Sequence, residues 1–134
     1  MSFTEKDYNK LSSEIISACI EVHKELGPGL MESVYEVCLI SVLKKNNLYL
    51  TQQVTLPVVF KGEKLEKNFM IDILVNEKII LELKSVETIL PVHEAQLVTY
   101  LKLADKKLGL LINFNVPILT QGIRRRINGS LSSV

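Results

Sequence analysis

Two strongly apolar runs near the middle of the chain constrain its fold more than any other feature. They occupy residues 69–75 and 79–84, and the polar triplet Asn76-Glu77-Lys78 separates them. Apolar, β-branched runs around a short polar break are typical of a β-hairpin with buried strands. Both runs also contain charged side chains, which are costly to bury unless they pair with one another or bind a metal ion. The hairpin is therefore the strongest candidate for a functional site.

The charged residues of this hairpin are Asp72, Glu82 and Lys84. Because strand side chains alternate between faces, Glu82 and Lys84 project from the same face. A three-residue loop pairs Val75 with Ile79, and counting outward from that pair places Asp72 opposite Glu82, with Cβ atoms about 5 Å apart. A two-residue turn would instead send Glu82 to the other face. We therefore predict a three-residue loop and a carboxylate pair.

Length and composition indicate one globular domain over residues 1–134, with a frayed tail at about 128–134. The chain has 134 residues, of which 47% are hydrophobic, and a formal net charge of +1. It contains no apolar run of about 20 residues that could span a bilayer and no signal-peptide pattern. We therefore expect a cytoplasmic protein without a membrane role. The near-neutral charge gives no global basic field, so any phosphate binding depends on a local patch.

The order of helical and strand patterns predicts an α/β fold. Gly27-Pro28-Gly29 ends the first helix, for which Asp7, Ser12 and Ser13 are candidate N-caps. Pro57 indicates an edge strand or a bulge. The predicted helices cover about 8–26, 31–45 and 92–103, and the predicted strands about 49–60, 69–75, 79–84, 108–114 and 122–127. The expected architecture is α-α-β-β-β-α-β, a mixed four- to five-stranded sheet flanked by helices.

Several common types of active site are excluded by the sequence. The two cysteines and two histidines lie far apart, without the spacing of zinc ligands. The segment Gly27-Pro28-Gly29 lacks the lysine and the preceding strand of a phosphate-binding loop. The hairpin carboxylates and lysine remain as the residues that carry chemistry.

Asp72 followed by Glu82-Leu83-Lys84 resembles the signature of the PD-(D/E)XK phosphodiesterase superfamily. The later helix carries Gln96 and Tyr100, which resemble the Gln-x-x-x-Tyr element of its RecB-like nuclease branch. The segment Gly29 to Tyr35, with Glu32 between them, resembles the hallmark of the GxxExxY protein family within that superfamily. The resemblance extends from about residue 15 to residue 127.

This resemblance implies a restriction-endonuclease-like PD-(D/E)XK core and a metal-dependent nuclease or phosphodiesterase acting on DNA. A hard cation such as Mg²⁺ or Mn²⁺ prefers oxygen ligands, and the implied set is Glu32, Asp72, Glu82 and the backbone carbonyl of Leu83. Lys84 would stabilise the transition state or orient the attacking water. Gln96 would position Lys84 or that water. The implied catalytic residues are Asp72, Glu82, Lys84 and Gln96.

Substrate contacts are predicted at Tyr100, Arg124 and Arg126. Arg124 and Arg126 share a face of the last predicted strand, where contact with phosphates competes with a simple solvated edge. Tyr100 has packing as an equal alternative, and so does Tyr35. Glu32 at the start of a helix also has an alternative role, because a carboxylate there stabilises the helix dipole.

An alternative interpretation keeps the same fold but assigns no catalytic activity to it. In it the chain is a catalytically silent module that binds nucleic acid or protein, in one form as an accessory subunit of a defence or repair complex. Its small size and near-neutral charge support this alternative. DNA is the expected partner, and the choice among a monomer, a homodimer and a larger complex stays open.

Overall fold

Three helices and five strands form the part of the chain that the computed structural model describes, residues 2–132. Their order confirms the predicted α-α-β-β-β-α-β architecture, which a short 3₁₀ turn and a fifth strand extend. The elements are α1 Glu5–Leu26, α2 Glu32–Lys45, β1 Leu50–Phe60, β2 Glu63–Val75, β3 Ile79–Lys84, α3 Pro91–Ala104, β4 Leu108–Asn113, the 3₁₀ turn Leu119–Gly122 and β5 Ile123–Ile127. Within residues 2–132, no helix is both long and apolar enough to cross a bilayer.

Helix α1 begins earlier than predicted because Thr4 caps it. The Thr4 hydroxyl accepts the Asp7 backbone N–H at 3.2 Å, and the Asp7 carboxylate accepts the Thr4 N–H at 2.8 Å. This reciprocal capping box satisfies two N–H groups that a helix start leaves unpaired. The predicted caps Asp7, Ser12 and Ser13 are therefore wrong, since all three lie inside the helix. The predicted end is confirmed, with Gly27 following α1 at φ 72°.

The five strands form a single mixed sheet in the order β1-β2-β3-β4-β5. All neighbours are antiparallel except β3 and β4, which are parallel and are joined by α3 as a crossover. Pro57 lies on the outer strand β1 beside a register shift, as its missing N–H predicts. The two strands that carry the candidate site thus lie inside the sheet, flanked on both sides.

The register of the β2–β3 hairpin confirms the three-residue loop. Val75 pairs with Ile79 and Ile73 pairs with Leu81, so counting one step further places Asp72 opposite Glu82. The loop residues Asn76 and Glu77 adopt positive φ values of 51° and 58°, which turn the chain sharply. The hairpin therefore has the odd loop length that places Asp72 and Glu82 opposite one another.

Apolar clusters cover both faces of the sheet. One face packs against α1 and α2, and the other packs against α3. The first cluster includes Ile15, Tyr35, Leu39, Ile73, Leu81, Leu110 and Phe114, and the second includes Ile71, Leu74, Ile80, Leu97, Tyr100 and Leu111. Both helical layers are therefore packed directly over the strands that carry the charged residues.

Part of the predicted frayed tail is held in place. The Asn128 N–H donates to the carbonyl of Lys107 at 2.8 Å, and its side-chain amide donates to the carbonyl of Lys106 at 3.2 Å. Leu131 is buried in the cluster beneath α1. This segment therefore has both hydrogen bonds and apolar contacts to the rest of the fold. Ser133 and Val134 lie outside the described residues.

Candidate active site

The carboxylates of Asp72 and Glu82 join β2 to β3 where the backbone ladder between these strands stops. The last backbone pair is Ile73 with Leu81. Beyond it, the Asp72 N–H donates to a Glu82 carboxylate oxygen at 3.2 Å, and the Leu83 N–H donates to an Asp72 carboxylate oxygen at 2.8 Å. Side-chain oxygens thus take the place of carbonyl acceptors. The two acids are fixed by backbone donors and face one another across the hairpin.

Burial and mutual repulsion disfavour the charged forms of both acids. Glu82 is only 7% exposed, and burial together with the charge of Asp72 raises its pKa to about 8. Burial likewise raises the pKa of Asp72 above its usual value, although the Leu83 N–H and the positive charge of Lys84 oppose that shift. Because the two carboxylates are close together and buried, a proton or a cation between them would relieve their repulsion and stabilise the pair.

Lys84 ends β3 on the same face as Glu82, and its backbone is held from the neighbouring strand. The Phe114 N–H donates to the Lys84 carbonyl at 2.9 Å. The buried side chain of Asn113, opposite Lys84 in the register, bonds to both the N–H and the carbonyl of Val86 at 3.0 and 2.9 Å. Sequence reasoning missed Asn113, although a polar residue at the end of an apolar strand was a visible signal. These bonds fix the backbone at the half-buried lysine and two residues after it.

Strand β2 changes face at Asp72. On a regular strand Ile71 and Ile73 would share a face, but Ile71 packs beneath α3 and Ile73 packs beneath α1 and α2. Gln53, the residue of β1 at the same level, has φ 51°, and no ladder pair joins it to Asp72. The apolar side chains of β2 therefore change from one helical layer to the other at Asp72.

Tyr100 reaches the carboxylates from α3. It is 5% exposed and packs against Phe69, with ring centroids 5.6 Å apart. Burial, followed by the charges of Glu82 and Asp72, raises the pKa of its hydroxyl. Tyr100 therefore packs in the core under α3, with its hydroxyl close enough to both acids to be affected by their charge.

Glu36 of α2 is close enough to Asp72 for their negative charges to interact, and sequence reasoning did not select it. Burial and the charge of Asp72 raise its pKa, while a hydrogen bond from Gln53 lowers it. The Gln53 amide nitrogen lies 3.0 and 3.1 Å from the two Glu36 carboxylate oxygens. The available signal was helical spacing, because Glu36 lies four residues after Glu32 on the same side of α2.

Glu32 and Gln96 are both exposed. Glu32 lines a shallow cavity with Ser85 and Asn115, next to the end of β3. Gln96 precedes Tyr100 by one helical turn and so projects from the same side of α3. Among residues 2–132, no three Asp, Glu, His or Cys side chains are grouped closely enough to hold one metal ion.

Arg124 and Arg126 lie on the α3 face of the outer strand β5. Arg124 and Glu82 are both opposite Leu111, so one strand separates them, a Cα distance of about 10 Å. The Arg124 guanidinium donates to the carbonyls of Gln121 and Ile123. Arg126 forms an ion pair with Glu94 of α3. Arg124 therefore lies level with Glu82 across the sheet. The positive charge of Arg126, in contrast, is compensated by Glu94.

Tyr35 organises the turn that leads into α2. Its hydroxyl donates to the Gly27 carbonyl at 2.6 Å and accepts the Leu30 N–H at 3.1 Å. Its ring is fully buried and stacks on Phe114, with centroids 4.4 Å apart and planes 7° apart. Since β4 ends just before Phe114, this contact ties the turn before α2 to the end of the sheet beside the candidate site.

We expect Tyr35→Phe to lower the free energy of unfolding by about 1 kcal/mol, the scale of one hydrogen bond. The substitution keeps the ring stack but leaves the half-buried Gly27 carbonyl and the Leu30 N–H without this partner. Urea titration followed by circular dichroism measures the effect, and Tyr49→Phe is the control because Tyr49 is 63% exposed. Equal stability of the Tyr35→Phe variant and the wild type would show that the hydroxyl does not hold this turn.

Comparisons with known proteins agree with this fold. A solved structure described as "Crystal structure of SSO0001" is similar to the chain at 26% identity and a TM-score of 0.52. The match covers 75% of this chain and 52% of that one, so the chain spans about half the length of that protein. No curated protein matches the chain. The sequence model of the PD-(D/E)XK nuclease superfamily matches residues 9–126, and the chain belongs to that superfamily.

Proposed function

We propose that this chain is a metal-dependent nuclease that hydrolyses phosphodiester bonds in DNA. The observation that carries the proposal is the joined pair of Asp72 and Glu82, with each carboxylate held by a backbone N–H of the opposite strand. Lys84 follows on the same face, and membership of the PD-(D/E)XK nuclease superfamily supports this chemistry. We assign catalytic roles to Asp72, Glu82, Lys84 and Gln96.

The donor set of this pair suits Mg²⁺ or Mn²⁺. Both cations accept carboxylate and carbonyl oxygens, and Mg²⁺ commonly uses only one or two protein carboxylates together with water and substrate phosphate. Asp72, Glu82 and the Leu83 carbonyl would hold the cation, with Glu32 as a further ligand from α2. A cation bound there would activate a water molecule and neutralise negative charge on the phosphoryl group.

The side chains around the pair supply the remaining functions. The Lys84 ammonium would donate hydrogen bonds to phosphoryl oxygens as negative charge develops on them. Gln96 would orient Lys84 or the attacking water through its amide. Burial on two sides keeps Glu82 out of bulk solvent, which strengthens each of these charge interactions.

Substrate would approach along the α3 face of the sheet. Tyr100 offers a hydroxyl near the carboxylates, and Arg124 lies level with Glu82, with one strand between them. Arg126 would contribute if a backbone phosphate replaced Glu94 as its partner. Contacts of this kind position a nucleic acid without reading its sequence. We favour DNA over RNA, and a homodimer is one assembly that would cut both strands.

Within the superfamily, we place the chain in the GxxExxY family and near the RecB-like branch. Gly29, Glu32 and Tyr35 support the first assignment, and Gln96 with Tyr100 supports the second. The hydrogen bonds of Tyr35 give that hallmark tyrosine a structural role in the turn before α2.

A catalytically silent module of the same fold is the second candidate. The observation that favours it is the separation of Glu32 from the carboxylate pair, since residues 2–132 contain no cluster of three metal-ligating side chains. Such a module would bind nucleic acid or protein, for example as an accessory subunit of a defence or repair complex.

Cleavage and metal binding measured together separate the two candidates. Purified protein is incubated with single-stranded and duplex DNA in Mg²⁺, in Mn²⁺ and in a chelator, and thermal unfolding is followed in the same buffers. We expect cleavage only with metal, together with thermal stabilisation by metal that Asp72→Ala abolishes. Metal-dependent stabilisation without cleavage would favour the silent module, and the absence of both would reject the metal site.

A further inference from the structure

Glu36 connects α2 to the kink in β1 beside the carboxylate pair. Both of its carboxylate oxygens are close to the Gln53 amide nitrogen, at 3.0 and 3.1 Å. Gln53 has φ 51°, a left-handed conformation that residues with a side chain rarely adopt. Such a conformation persists only where surrounding contacts hold it, and the bond to Glu36 is one such contact.

The kink at Gln53 and the change of face at Asp72 are parts of one distortion. Gln52 pairs with Ile73 and Val54 pairs with Ile71, so the register is the same on both sides of the interruption. Between these pairs, Gln53 and Asp72 are opposite one another and form no ladder pair. A change in the backbone of β1 at Gln53 would therefore alter β2 at Asp72, the residue that bonds to Leu83 on the next strand.

We propose that Glu36 is a positioning residue, which holds Gln53 in its left-handed conformation and thereby fixes the orientation of Asp72 for cation binding. The inference rests on the proposed nuclease function. Glu36 acts here as a hydrogen-bond acceptor through Gln53, without touching substrate or cation. A glutamine at position 36 keeps an acceptor oxygen at the same distance along the side chain and so should retain the effect, whereas alanine removes it.

The test compares wild-type protein with Glu36→Ala, Glu36→Gln and Gln53→Ala. Mn²⁺ affinity is measured by isothermal titration calorimetry, and DNA cleavage is measured as a function of Mg²⁺ concentration. We expect Glu36→Ala and Gln53→Ala to bind Mn²⁺ about three- to tenfold more weakly, the scale of one lost hydrogen bond. Both should need more Mg²⁺ for half-maximal cleavage while keeping nearly the wild-type rate at saturation. Glu36→Gln should remain close to wild type in both measurements.

Three results would overturn the inference. Wild-type Mn²⁺ affinity in Glu36→Ala would show that Asp72 needs no such support. Equal weakening in Glu36→Gln and Glu36→Ala would show that the charge of Glu36 acts, and not its bond to Gln53. Equal weakening in Val37→Ala, a neighbour that is 68% exposed on α2, would indicate a general effect of altering that helix. If the wild-type protein binds no Mn²⁺, the proposed metal-dependent function is rejected, and the positioning role of Glu36 is rejected with it.

Discussion

Replacement of Lys84 by methionine is expected to lower the rate of metal-dependent DNA cleavage by about 10²–10⁴-fold. Methionine keeps an unbranched side chain in the half-buried position at the end of β3 but cannot donate hydrogen bonds to phosphoryl oxygens. The hydrogen bond from Phe114 to the Lys84 carbonyl belongs to the backbone and should survive. Rates at saturating Mg²⁺ on a labelled duplex measure the effect, and thermal unfolding confirms that the variant is folded.

The matched control is Lys10→Met, which removes one positive charge from an exposed site on α1. It should retain the wild-type rate, because a distant surface charge contributes only to weak, salt-screened attraction. A Lys84→Met protein that cleaves DNA as fast as the wild type would remove Lys84 from the catalytic group. Activity that also survives Asp72→Ala would point to a contaminating nuclease.

Stability of the metal-free protein is expected to fall as the pH rises from about 4.5 to 8. Burial beside Asp72 raises the pKa of Glu82 from 4.5 to about 8, so the folded state binds a proton that the unfolded state has already lost over this range. Folding is therefore favoured at the acidic end, and the free energy of unfolding declines by up to about 1.4 kcal/mol per pH unit. The buried acid Asp72 contributes in the same direction.

Glu82→Gln should remove most of this slope, because the amide does not ionise. Urea titrations at several pH values in chelator measure it, with Glu66→Gln on the exposed stretch of β2 as the control that keeps the wild-type slope. Added Mg²⁺ should stabilise wild-type protein more at pH 8 than at pH 6, since binding the cation requires loss of the proton. An unchanged slope in Glu82→Gln would mean that Glu82 is already ionised in the folded protein without metal.

The carboxylate pair was predictable from sequence because strand geometry has a period of two residues. Once Asn76-Glu77-Lys78 was counted as a three-residue loop, the position of Asp72 opposite Glu82 followed without further information. The order of helices and strands was predictable for the same kind of reason, since apolar periodicity and turn residues are local signals. The start of α1 was not, because Thr4 and Asp7 precede the apolar stripe and act through side-chain hydrogen bonds.

The kink at Asp72 could not be read from the sequence. It depends on a left-handed conformation at Gln53, a residue type that gives no local signal for it, and on a contact with Glu36, which lies 17 residues away. Regular alternation would have placed Ile71 and Ile73 on one face, whereas the structure divides them between two helical layers. Glu36 and Tyr100 belong to these opposite layers, and burial followed by nearby carboxylate charge raises the pKa of both. Long-range contacts of this kind determine which acidic side chains lie close together in the folded protein.

The replacement of ladder carbonyls by carboxylates between β2 and β3 also limits how this protein can be re-engineered. The same carboxylates of Asp72 and Glu82 that would bind a cation already accept the N–H groups of Leu83 and Asp72. A designer who exchanges these acids to change metal preference also removes acceptors that hold two strands together. We therefore expect selection for altered metal use to yield folded variants only when compensating changes first strengthen the hairpin elsewhere.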